Sequence, residues 1–409
     1  MGVISPNGVG REAFADAILR GQSGVRRIMR FDVSHLPVRI AGECVDFDES
    51  RWIDARERKH VSRVVPLSIA ASDEALRDAR IDPCALSLEE QQQIGVSLGT
   101  GGGSGDFSEA QYELYFAGKV KSVSLFSIPS GTWGTLSSEI SMRYGLRGPS
   151  HVVTTGCTSS TDAVAHAFNI IRLGTIPMML AGGVDSPLMP GLLKGFTLMK
   201  IMTESHNDDP ERASRPFSKD RDGFVVAEGS WMFVLEELEH ARLRGAHIYA
   251  EVAGYGSTCE AFHRVRLQEC GEEPARAMQL AMQEAQIAPD QIGYVALHGT
   301  STLLNDRIET RAVKLALGEE VAYRTPMSAI KSQIGHPQGA SGAAGIAASL
   351  IAMREQCIPP TINLDIPDPD CDLDYVAKGA RRSAFEYALC NCIAFGSKNS
   401  ALVLRKFAE

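Results

Sequence analysis

The stretch HVVTTGCTSSTDAVAHAFNIIRLG, residues 151–174, decides the fold. It begins with a β-type run that ends at Thr155, turns at Gly156 and Cys157, and continues with apolar residues at helical spacing. A strand that leads through a glycine turn into a helix is the unit from which α/β proteins are built. The stretch therefore predicts an α/β fold in which Cys157 lies at a helix N-terminus.

This position makes Cys157 a candidate nucleophile. Unsatisfied N–H groups and the helix dipole at a helix N-terminus favour a thiolate, which predicts a lowered pKa for the thiol. Gly156 allows the sharp turn that presents the sulfur. A buried structural cysteine is the alternative for any single cysteine. The strand, turn and helix around Cys157 favour the nucleophile.

A second loop, YVALHGTSTLLND at residues 294–306, contains a candidate catalytic histidine. His298 ends an apolar run, a position suited to donating a proton or hydrogen bond to a carbonyl, although an interior structural histidine is the alternative. Asp306 and Glu309 form a capping pattern that predicts the start of a helix. Loops at the carboxyl ends of strands form the sites of α/β sheets, so the chemistry is expected there.

A third loop, PMSAIKSQIGHPQGASGAAGIAASL at residues 326–350, contains the second histidine. A strand is predicted to end near Ile330, followed by Lys331, His336 and a helix of small residues. One cysteine and two histidines at strand ends form a candidate catalytic group, although such residues also occur together by chance in sequences of this length.

The length and composition favour a two-part globular protein. A chain of 409 residues exceeds the size at which one core stops growing, so we divide it at Gly245 into halves 1–245 and 246–409. The first half would carry the nucleophile and the second both histidines. Hydrophobic residues make up 44% and charged residues 22%, which is ordinary for a globular protein.

Charge and patterning exclude several classes of protein. A net charge of −9 argues against binding to nucleic acid or an anionic membrane surface. The absence of a long apolar run, together with a turn-like opening MGVISPNGVG, predicts a cytoplasmic protein without a membrane span. The nine scattered cysteines suggest neither a disulfide framework nor a metal site.

The three loops, in this order, resemble the β-ketoacyl-(acyl carrier protein) synthase family, in particular its elongating type II enzymes and type II polyketide ketosynthases. Four more segments carry the resemblance over nearly the whole chain: RRIMRFDVSHLPVRIAG (26–42), DPERASRPFSKDRDGFVVAEG (209–229), PPTINLDIPDPDCDLDYV (359–376) and FGSKNSALVL (395–404). The resemblance implies a duplicated thiolase-like fold in five layers, αβαβα, and a homodimer.

The resemblance also implies a reaction, decarboxylative Claisen condensation. Cys157 matches the nucleophile that accepts an acyl chain from acyl carrier protein. His298 and His336 match the pair that binds the malonyl thioester oxygen and stabilises the enolate, and Lys331 matches the lysine that supports the second histidine. No separate cofactor is implied, because the substrates are carried on the phosphopantetheine of the carrier protein.

Further positions are matched residue by residue. The N–H groups of Cys157 and Phe395 would form the oxyanion hole, and Phe395 would gate the nucleophile. Thr300 and Thr302 would contact the phosphopantetheine arm, and Phe196 would line the acyl pocket. Three basic residues match the docking surface for the acidic carrier protein, although each could be an ordinary surface charge: Arg58, Lys59 and Lys200.

The sequence departs from the family pattern at several points. The family has a short apolar strand before GVISPNG, which predicts a weakened edge of the first sheet. Gly345 stands where a glutamate is usual, and Lys398 stands near the gate. The GCTSS motif is closer to polyketide ketosynthases than to fatty-acid enzymes. Fatty-acid elongation and polyketide or polyene assembly both stay open, with a lean toward the latter.

Two other functions compete with this interpretation. One is a non-catalytic chain-length partner of another ketosynthase, which would also make a heterodimer the working assembly. Such partners typically lack the nucleophile, so Cys157 argues against it. The other is a coenzyme A thiolase, for which Cys392 would be the second reactive cysteine; the histidine loops favour the decarboxylating enzyme.

Overall fold

A computed structural model describes residues 1–408 of the chain. Its strands, in chain order, are β1 (Gly2–Ser5), β2 (Gly8–Val9), β3 (Val25–Arg27), β4 (Ile40–Gly42), β5 (Ile94–Gly99), β6 (Ser150–Val153), β7 (Met178–Asp185), β8 (Gly229–Glu236), β9 (Ala250–Cys259), β10 (Ile292–Ala296), β11 (Met327–Ser328), β12 (Cys357–Ile358), β13 (Arg381–Arg382), β14 (Tyr387–Ala394) and β15 (Lys398–Lys406).

The α-helices lie singly or in groups between many of these strands. In chain order they are α1 (Arg11–Arg20), α2 (Ala55–Arg58), α3 (Val64–Asp78), α4 (Leu88–Gln92), α5 (Gly105–Phe116), α6 (Ser127–Gly131), α7 (Leu136–Tyr144), α8 (Ser159–Arg172), α9 (Pro190–Leu198), α10 (Leu238–Leu243), α11 (Glu272–Glu284), α12 (Leu303–Leu317), α13 (Glu319–Arg324), α14 (Lys331–Ile334) and α15 (Ser341–Glu355).

Two mixed sheets form the frame of the molecule. The first has the order β2-β1-β8-β7-β5-β6, and the second has the order β11-β10-β14-β15-β9. In the first sheet β5 is parallel to β6 and β7, whereas β8 is antiparallel to β7. In the second sheet β10 is parallel to β11 and β14, whereas β15 is antiparallel to β14 and β9.

The layers follow from which strand faces are buried. Every residue of β5, β7 and β14 is buried, as expected for strands covered by helices on both sides. Helices α8 and α15 pack against each other and against strands of both sheets. Helices α3 and α7 cover the outside of the first sheet, and α11 covers the outside of the second with α12 packed beside it. The predicted duplicated αβαβα fold is confirmed.

Small residues allow the central helices to approach the sheet and each other. A Cβ atom at Gly99 or Gly183 would clash with Ser160, which lies in the first turn of α8. A Cβ atom at Gly342 of α15 would clash with the Thr161 hydroxyl and lie 2.9 Å from the Thr161 backbone nitrogen. Glycine is therefore required where α8, which follows Cys157, crosses its neighbours.

The beginning of the chain corrects one prediction. We expected a turn-like opening, but Gly2–Ser5 form the buried strand β1, which pairs with β8 and β2. This strand lies within GVISPNG, so the expected loss of a strand before that segment stays a prediction. Helix α1 follows from Arg11 to Arg20 and ends at Gly21, which has a left-handed conformation.

The division at Gly245 stays a prediction. Gly245 follows α10, in the connection between the last strand of the first sheet, β8, and the first strand of the second, β9. In the described part of the chain, no helix combines the length and apolar character needed to cross a membrane.

Candidate active site

Three predicted groups from distant parts of the sequence meet between the two sheets. Cys157 precedes α8, His298 follows β10, and His336 follows α14. All three side chains are buried, and their donor atoms lie within 4.8 Å of one another. Cys157 Sγ is 3.2 Å from His336 Nε2, and the two imidazole rings are nearly perpendicular, with centroids 5.3 Å apart. A metal ion could bridge such donors; our expectation of no metal stays a prediction.

The electrostatics of Cys157 differ from the prediction. Burial raises the pKa of the Cys157 thiol to about 12, while the Lys331 charge and the N–H groups of Phe395 and Cys157 lower it. Loss of hydration therefore outweighs the favourable environment of the helix N-terminus. The resting group is a thiol, so it would need a base to act as a nucleophile, and His336 Nε2 is in contact with the sulfur.

Both histidines are neutral imidazoles. Burial, followed by the Lys331 charge, lowers the pKa of His298 and of His336 well below the ordinary value. His336 Nδ1 lies 2.9 Å from the Ser341 hydroxyl, and His298 Nδ1 lies 3.4 Å from Lys331 Nζ and 3.4 Å from Cys392 Sγ. These partners occupy Nδ1 of each ring, so Nε2 is the nitrogen that faces the reaction space.

The position of Lys331 corrects another expectation. We expected it to support the second histidine, but its ammonium donates to the His298 carbonyl oxygen at 2.7 Å and lies beside His298 Nδ1. The reason is local: β11 ends at Ser328 rather than near Ile330, and Lys331 begins the short helix α14. The helical turn directs its side chain toward the His298 loop.

Two buried carboxylates fix the loop that carries His298. Glu309 accepts hydrogen bonds from the N–H groups of His298 at 2.6 Å and Gly299 at 2.7 Å, and Asp306 accepts one from Thr300. We predicted that Asp306 and Glu309 cap a helix, which is wrong: α12 already begins at Leu303. The carboxylates turn back from the helix to hold the catalytic loop, and burial raises the pKa of Glu309 to about 7.

Asp162 holds the loop that contains Cys157, and the sequence did not predict this role. Its carboxylate accepts hydrogen bonds from Thr155, from Thr158 at 3.1 Å, from Tyr255 at 2.8 Å and from Ser400. Thr155 and Thr158 flank Cys157, whereas Tyr255 belongs to β9 and Ser400 to β15. An acidic residue one turn into the helix after the nucleophile was the available signal.

Asp185 joins loops from the two halves beside the site. It is buried at the end of β7 and accepts hydrogen bonds from the N–H groups of Gly101 at 2.7 Å and Gly339 at 2.8 Å. Gly102 and Ser186 donate to it as well. Burial raises the pKa of Asp185 to about 6, and the N–H donors oppose that shift. Sequence alone gave no reason to single out this aspartate.

The remaining predicted site residues surround the three central groups. The Phe395 N–H approaches Cys157 Sγ from the turn between β14 and β15. The Thr300 and Thr302 hydroxyls lie 3.0 Å apart in the loop after His298. Phe196 is half-buried in α9 and packs edge to face on Phe224, which in turn packs edge to face on His336.

The three predicted docking residues are placed differently from one another. Lys59 and Lys200 are exposed. Arg58 is half-buried, and its guanidinium donates to Glu49 at 2.7 Å and to the Val61 carbonyl oxygen at 3.0 Å. Arg58 is therefore held by an intramolecular ion pair and is less available to an acidic partner than the two lysines.

Comparison with known proteins gives the same family for both halves. The model "Beta-ketoacyl synthase, N-terminal domain" matches residues 1–241, and "Beta-ketoacyl synthase, C-terminal domain" matches residues 249–365. The chain is 40% identical to a 3-oxoacyl-[acyl-carrier-protein] synthase 2 of Rhizobium meliloti, over 99% of this chain and 97% of the relative. It is 39% identical to the tetracenomycin polyketide synthase ketoacyl synthase alpha subunit of Streptomyces glaucescens, over 100% and 96%.

A solved structure agrees. The ishigamide ketosynthase/chain length factor has a TM-score of 0.91 and 31% identity, and the match covers 100% of this chain and 98% of that one. The chain belongs to the beta-ketoacyl synthase family, a family of condensing acyltransferases. The comparisons favour the catalytic enzyme over the non-catalytic chain-length partner, and they give no support to a coenzyme A thiolase.

Proposed function

We propose that this β-ketoacyl synthase joins an acyl chain held on Cys157 to a malonyl unit held on acyl carrier protein. The observation that carries the proposal is the meeting of one thiol and two neutral imidazoles in a buried space. A thioester intermediate needs a soft nucleophile, and an enolate needs hydrogen-bond donors at its oxygen. Cys157, His298 and His336 supply both.

The first step transfers the acyl chain to the enzyme. His336 Nε2 takes the Cys157 proton, and the thiolate attacks the thioester carbonyl carbon of acyl carrier protein. The N–H groups of Cys157 and Phe395 stabilise the oxyanion, as their approach to Sγ supports. The carbon–sulfur bond to the phosphopantetheine then breaks, and its thiol leaves with the proton from His336.

The second step forms the carbon–carbon bond. In this step neutral His336 carries its proton on Nε2, while the Ser341 hydroxyl donates to Nδ1 instead of accepting from it. The Nε2–H groups of His298 and His336 then donate to the malonyl thioester oxygen, and loss of carbon dioxide leaves an enolate. Its carbon attacks the Cys157 thioester, which gives a chain longer by two carbons and releases Cys157 as a thiolate that takes a proton from the medium. Loss of one oxyanion donor costs on the order of 10²- to 10³-fold in rate in comparable enzymes. Each histidine is therefore essential.

The substrates arrive on a partner protein. Thr300 and Thr302 are the candidate contacts for the phosphopantetheine arm, because they lie in the loop directly after His298. Lys59 and Lys200 offer positive charge that would attract an acidic carrier protein to a negatively charged enzyme. A cytoplasmic location, predicted from the absence of a long apolar run in the sequence, is part of this proposal.

For the pathway, we propose polyketide or polyene assembly, with fatty-acid elongation as the second candidate. The GCTSS motif and the relatedness to a tetracenomycin ketosynthase favour the first. The relatedness to 3-oxoacyl-[acyl-carrier-protein] synthase 2 keeps the second open. Carrier-protein preference decides between them.

We also propose that the enzyme works as a dimer, either with itself or with a chain-length-factor subunit. Strand β6 is the edge of the first sheet and offers unpaired backbone groups. Exposed apolar side chains lie nearby on α5 and α6, and the turn at Trp133–Thr135 contacts both α6 and β6. Such a patch beside an open sheet edge is typical of a protein interface.

The decisive experiment follows the mass of the intact protein. Wild type and Cys157→Ala are incubated with acyl carrier proteins that bear chains of different length, and malonyl carrier protein is then added. We expect acylation and extension for wild type only. Cys392→Ala is the matched control, since it removes a second buried thiol of the same cluster and should keep acylation. Acylation of Cys157→Ala, or none of wild type with any carrier, would contradict the proposal.

A further inference from the structure

Gln338 is a buried polar residue beside the nucleophile that the mechanism above does not use. It lies two residues after His336, in the 3-10 turn Gln338–Ala340, and is only 8% exposed. Its φ angle is +42°, in the left-handed region that residues other than glycine rarely adopt. The chain therefore holds a long polar side chain in a costly backbone conformation at this point.

The amide of Gln338 is satisfied on one side only. Its Oε1 lies 3.8 Å from Cys157 Sγ, where the thiol can donate to it. Its Nε2 is buried and has no hydrogen-bond partner among the described residues. Standard amide geometry places Nε2 within about 6 Å of Sγ. An N–H donor is thus left unpaired in the reaction space, where desolvation makes it costly.

The neighbouring acceptor does not explain this donor. Asp185 is the carboxylate that holds the adjacent residue, Gly339, but it already receives four backbone N–H groups. His336 Nδ1 is occupied by Ser341, and His336 Nε2 faces the Cys157 sulfur. No described residue accepts a hydrogen bond from Gln338 Nε2, which leaves a bound molecule as its partner.

We propose that Gln338 Nε2 donates a hydrogen bond to an oxygen at the β-carbon of the acyl chain on Cys157, so that β-oxygenated chains are preferred. This inference rests on the proposed function. The carbonyl oxygen of the thioester is directed to the N–H groups of Cys157 and Phe395. The next carbon that commonly bears oxygen is the β-carbon, roughly 4 Å from the sulfur and within reach of Nε2.

The test is a competition between two chains of equal length. Wild type receives an equimolar mixture of β-ketooctanoyl and octanoyl groups on the same carrier protein, and intact mass gives the ratio of the two acyl-enzymes. Gln338→Met keeps the length and removes the donor. We expect the ratio to fall by roughly 10- to 100-fold, since the donor is lost where water is excluded. The ratio does not depend on the folded fraction, and Gln338→Leu repeats the test if Gln338→Met does not fold.

Gln333→Met is the matched control. Gln333 is a buried glutamine five residues earlier, but its Nε2 donates to the carbonyl oxygens of Ile18 at 3.1 Å and Pro360 at 2.8 Å. Its substitution should leave the ratio unchanged. An unchanged ratio in Gln338→Met overturns the inference while the proposed function stands. Equal slowing of both chains also overturns it, because it would mean that the amide acts on the thiolate instead. Acylation by neither chain contradicts the proposed function itself.

Discussion

At the scale of single residues, burial sets the protonation of the site. Cys157, His298 and His336 are each shifted toward their neutral forms, mainly because charge is costly where water is excluded. The Lys331 charge lowers the pKa of the Cys157 thiol, which opposes the effect of burial. It also lowers the pKa of both imidazoles, which adds to the effect of burial. A single buried amine thereby favours both a thiolate nucleophile and neutral hydrogen-bond donors.

The first prediction concerns pH. Because the pKa values of His298 and His336 lie well below 6.5, both keep their N–H donors neutral as pH falls. We expect the rate of Cys157 acylation to stay level between about pH 8 and about pH 6, because His336 stays able to accept the thiol proton over this range. Lys331→Met removes a charge that lowers both pKa values, so His336 should become protonated, and acylation should begin to slow, at a higher pH than in wild type. The initial rate of acyl-enzyme formation over this range, followed by intact mass, is the measurement.

The control for this prediction is Lys314→Met. Lys314 lies far along α12 and pairs with Asp372 at 2.5 Å, away from the histidines. Its pH profile should match that of wild type. A wild-type rate that titrates near pH 6.5, or a Lys331→Met profile identical to wild type, would show that Lys331 does not set the histidine pKa values.

Sequence reasoning identified the three groups that meet in the candidate site, but not all of the residues that hold them. Cys157, His298 and His336 could be predicted because each follows an apolar run in a glycine loop. The contact of Lys331 with His298 could not be predicted, because β11 ends two residues earlier than expected and this changes the direction of the Lys331 side chain. The contacts of Gln338 with Cys157 and of Ser341 with His336 could not be predicted, because a segment of small residues gives no pattern that shows which polar side chains face the site.

At the scale of elements, the crossing of α8 and α15 determines whether the nucleophile is positioned. Both helices lie between the sheets, and they approach so closely at Gly342 that a Cβ atom there would clash with Thr161. The sequence predicted a helix of small residues that packs closely. It did not predict that this helix packs against α8, because Thr161 and Gly342 are 181 residues apart in the sequence.

The second prediction tests this crossing with two substitutions on one helix. A methyl group at Gly342 would meet the backbone of Thr161, so Gly342→Ala should destabilise the protein by about 1–3 kcal/mol. It should also slow alkylation of Cys157, because α8 is displaced. Urea unfolding and iodoacetamide labelling are the measurements.

Gly345→Ala is the control for that substitution. Gly345 lies three residues further along α15, and a methyl group there would meet only Ala296 at 3.9 Å, an ordinary contact. Alanine favours helix over glycine by roughly 1 kcal/mol, so Gly345→Ala should be neutral or stabilising. Equal effects of the two substitutions would rule out the close crossing as the cause. The resemblance implied a glutamate near position 345, where this chain has glycine. The negative charge that acts on Lys331 comes instead from Glu309 of α12.

At the scale of the whole molecule, the residue patterns predicted an α/β protein and the family resemblance implied the layered fold, while the strand Gly2–Ser5 was not predicted. MGVIS contains only five residues before a proline, so its pattern is too short to separate a strand from a turn. Pairing with β8 decides the matter, and that contact spans more than two hundred residues of sequence. Tertiary pairing of this kind leaves no local signal.

The third prediction concerns assembly. Leu125 and Ile128 are 95% and 80% exposed beside the open edge strand β6. We expect a dimer in light scattering after size-exclusion chromatography, and the double substitution Leu125→Asp and Ile128→Asp should shift it toward monomer. Leu243→Asp changes a residue that is 88% exposed on α10 and should leave the dimer intact. A monomeric wild type would indicate that a different subunit covers the patch.

The contacts of Asp162 have a consequence for recombination between relatives. A recombination crossover in the connection between α10 and β9 would join the first half of one parent to the second half of another. The nucleophile loop of one parent would then depend on the other parent for the hydroxyls at Tyr255 and Ser400 and for the Phe395 N–H. Chimeras should thus inherit activity only where the incoming second half keeps both hydroxyls, which gives a simple rule for choosing parents.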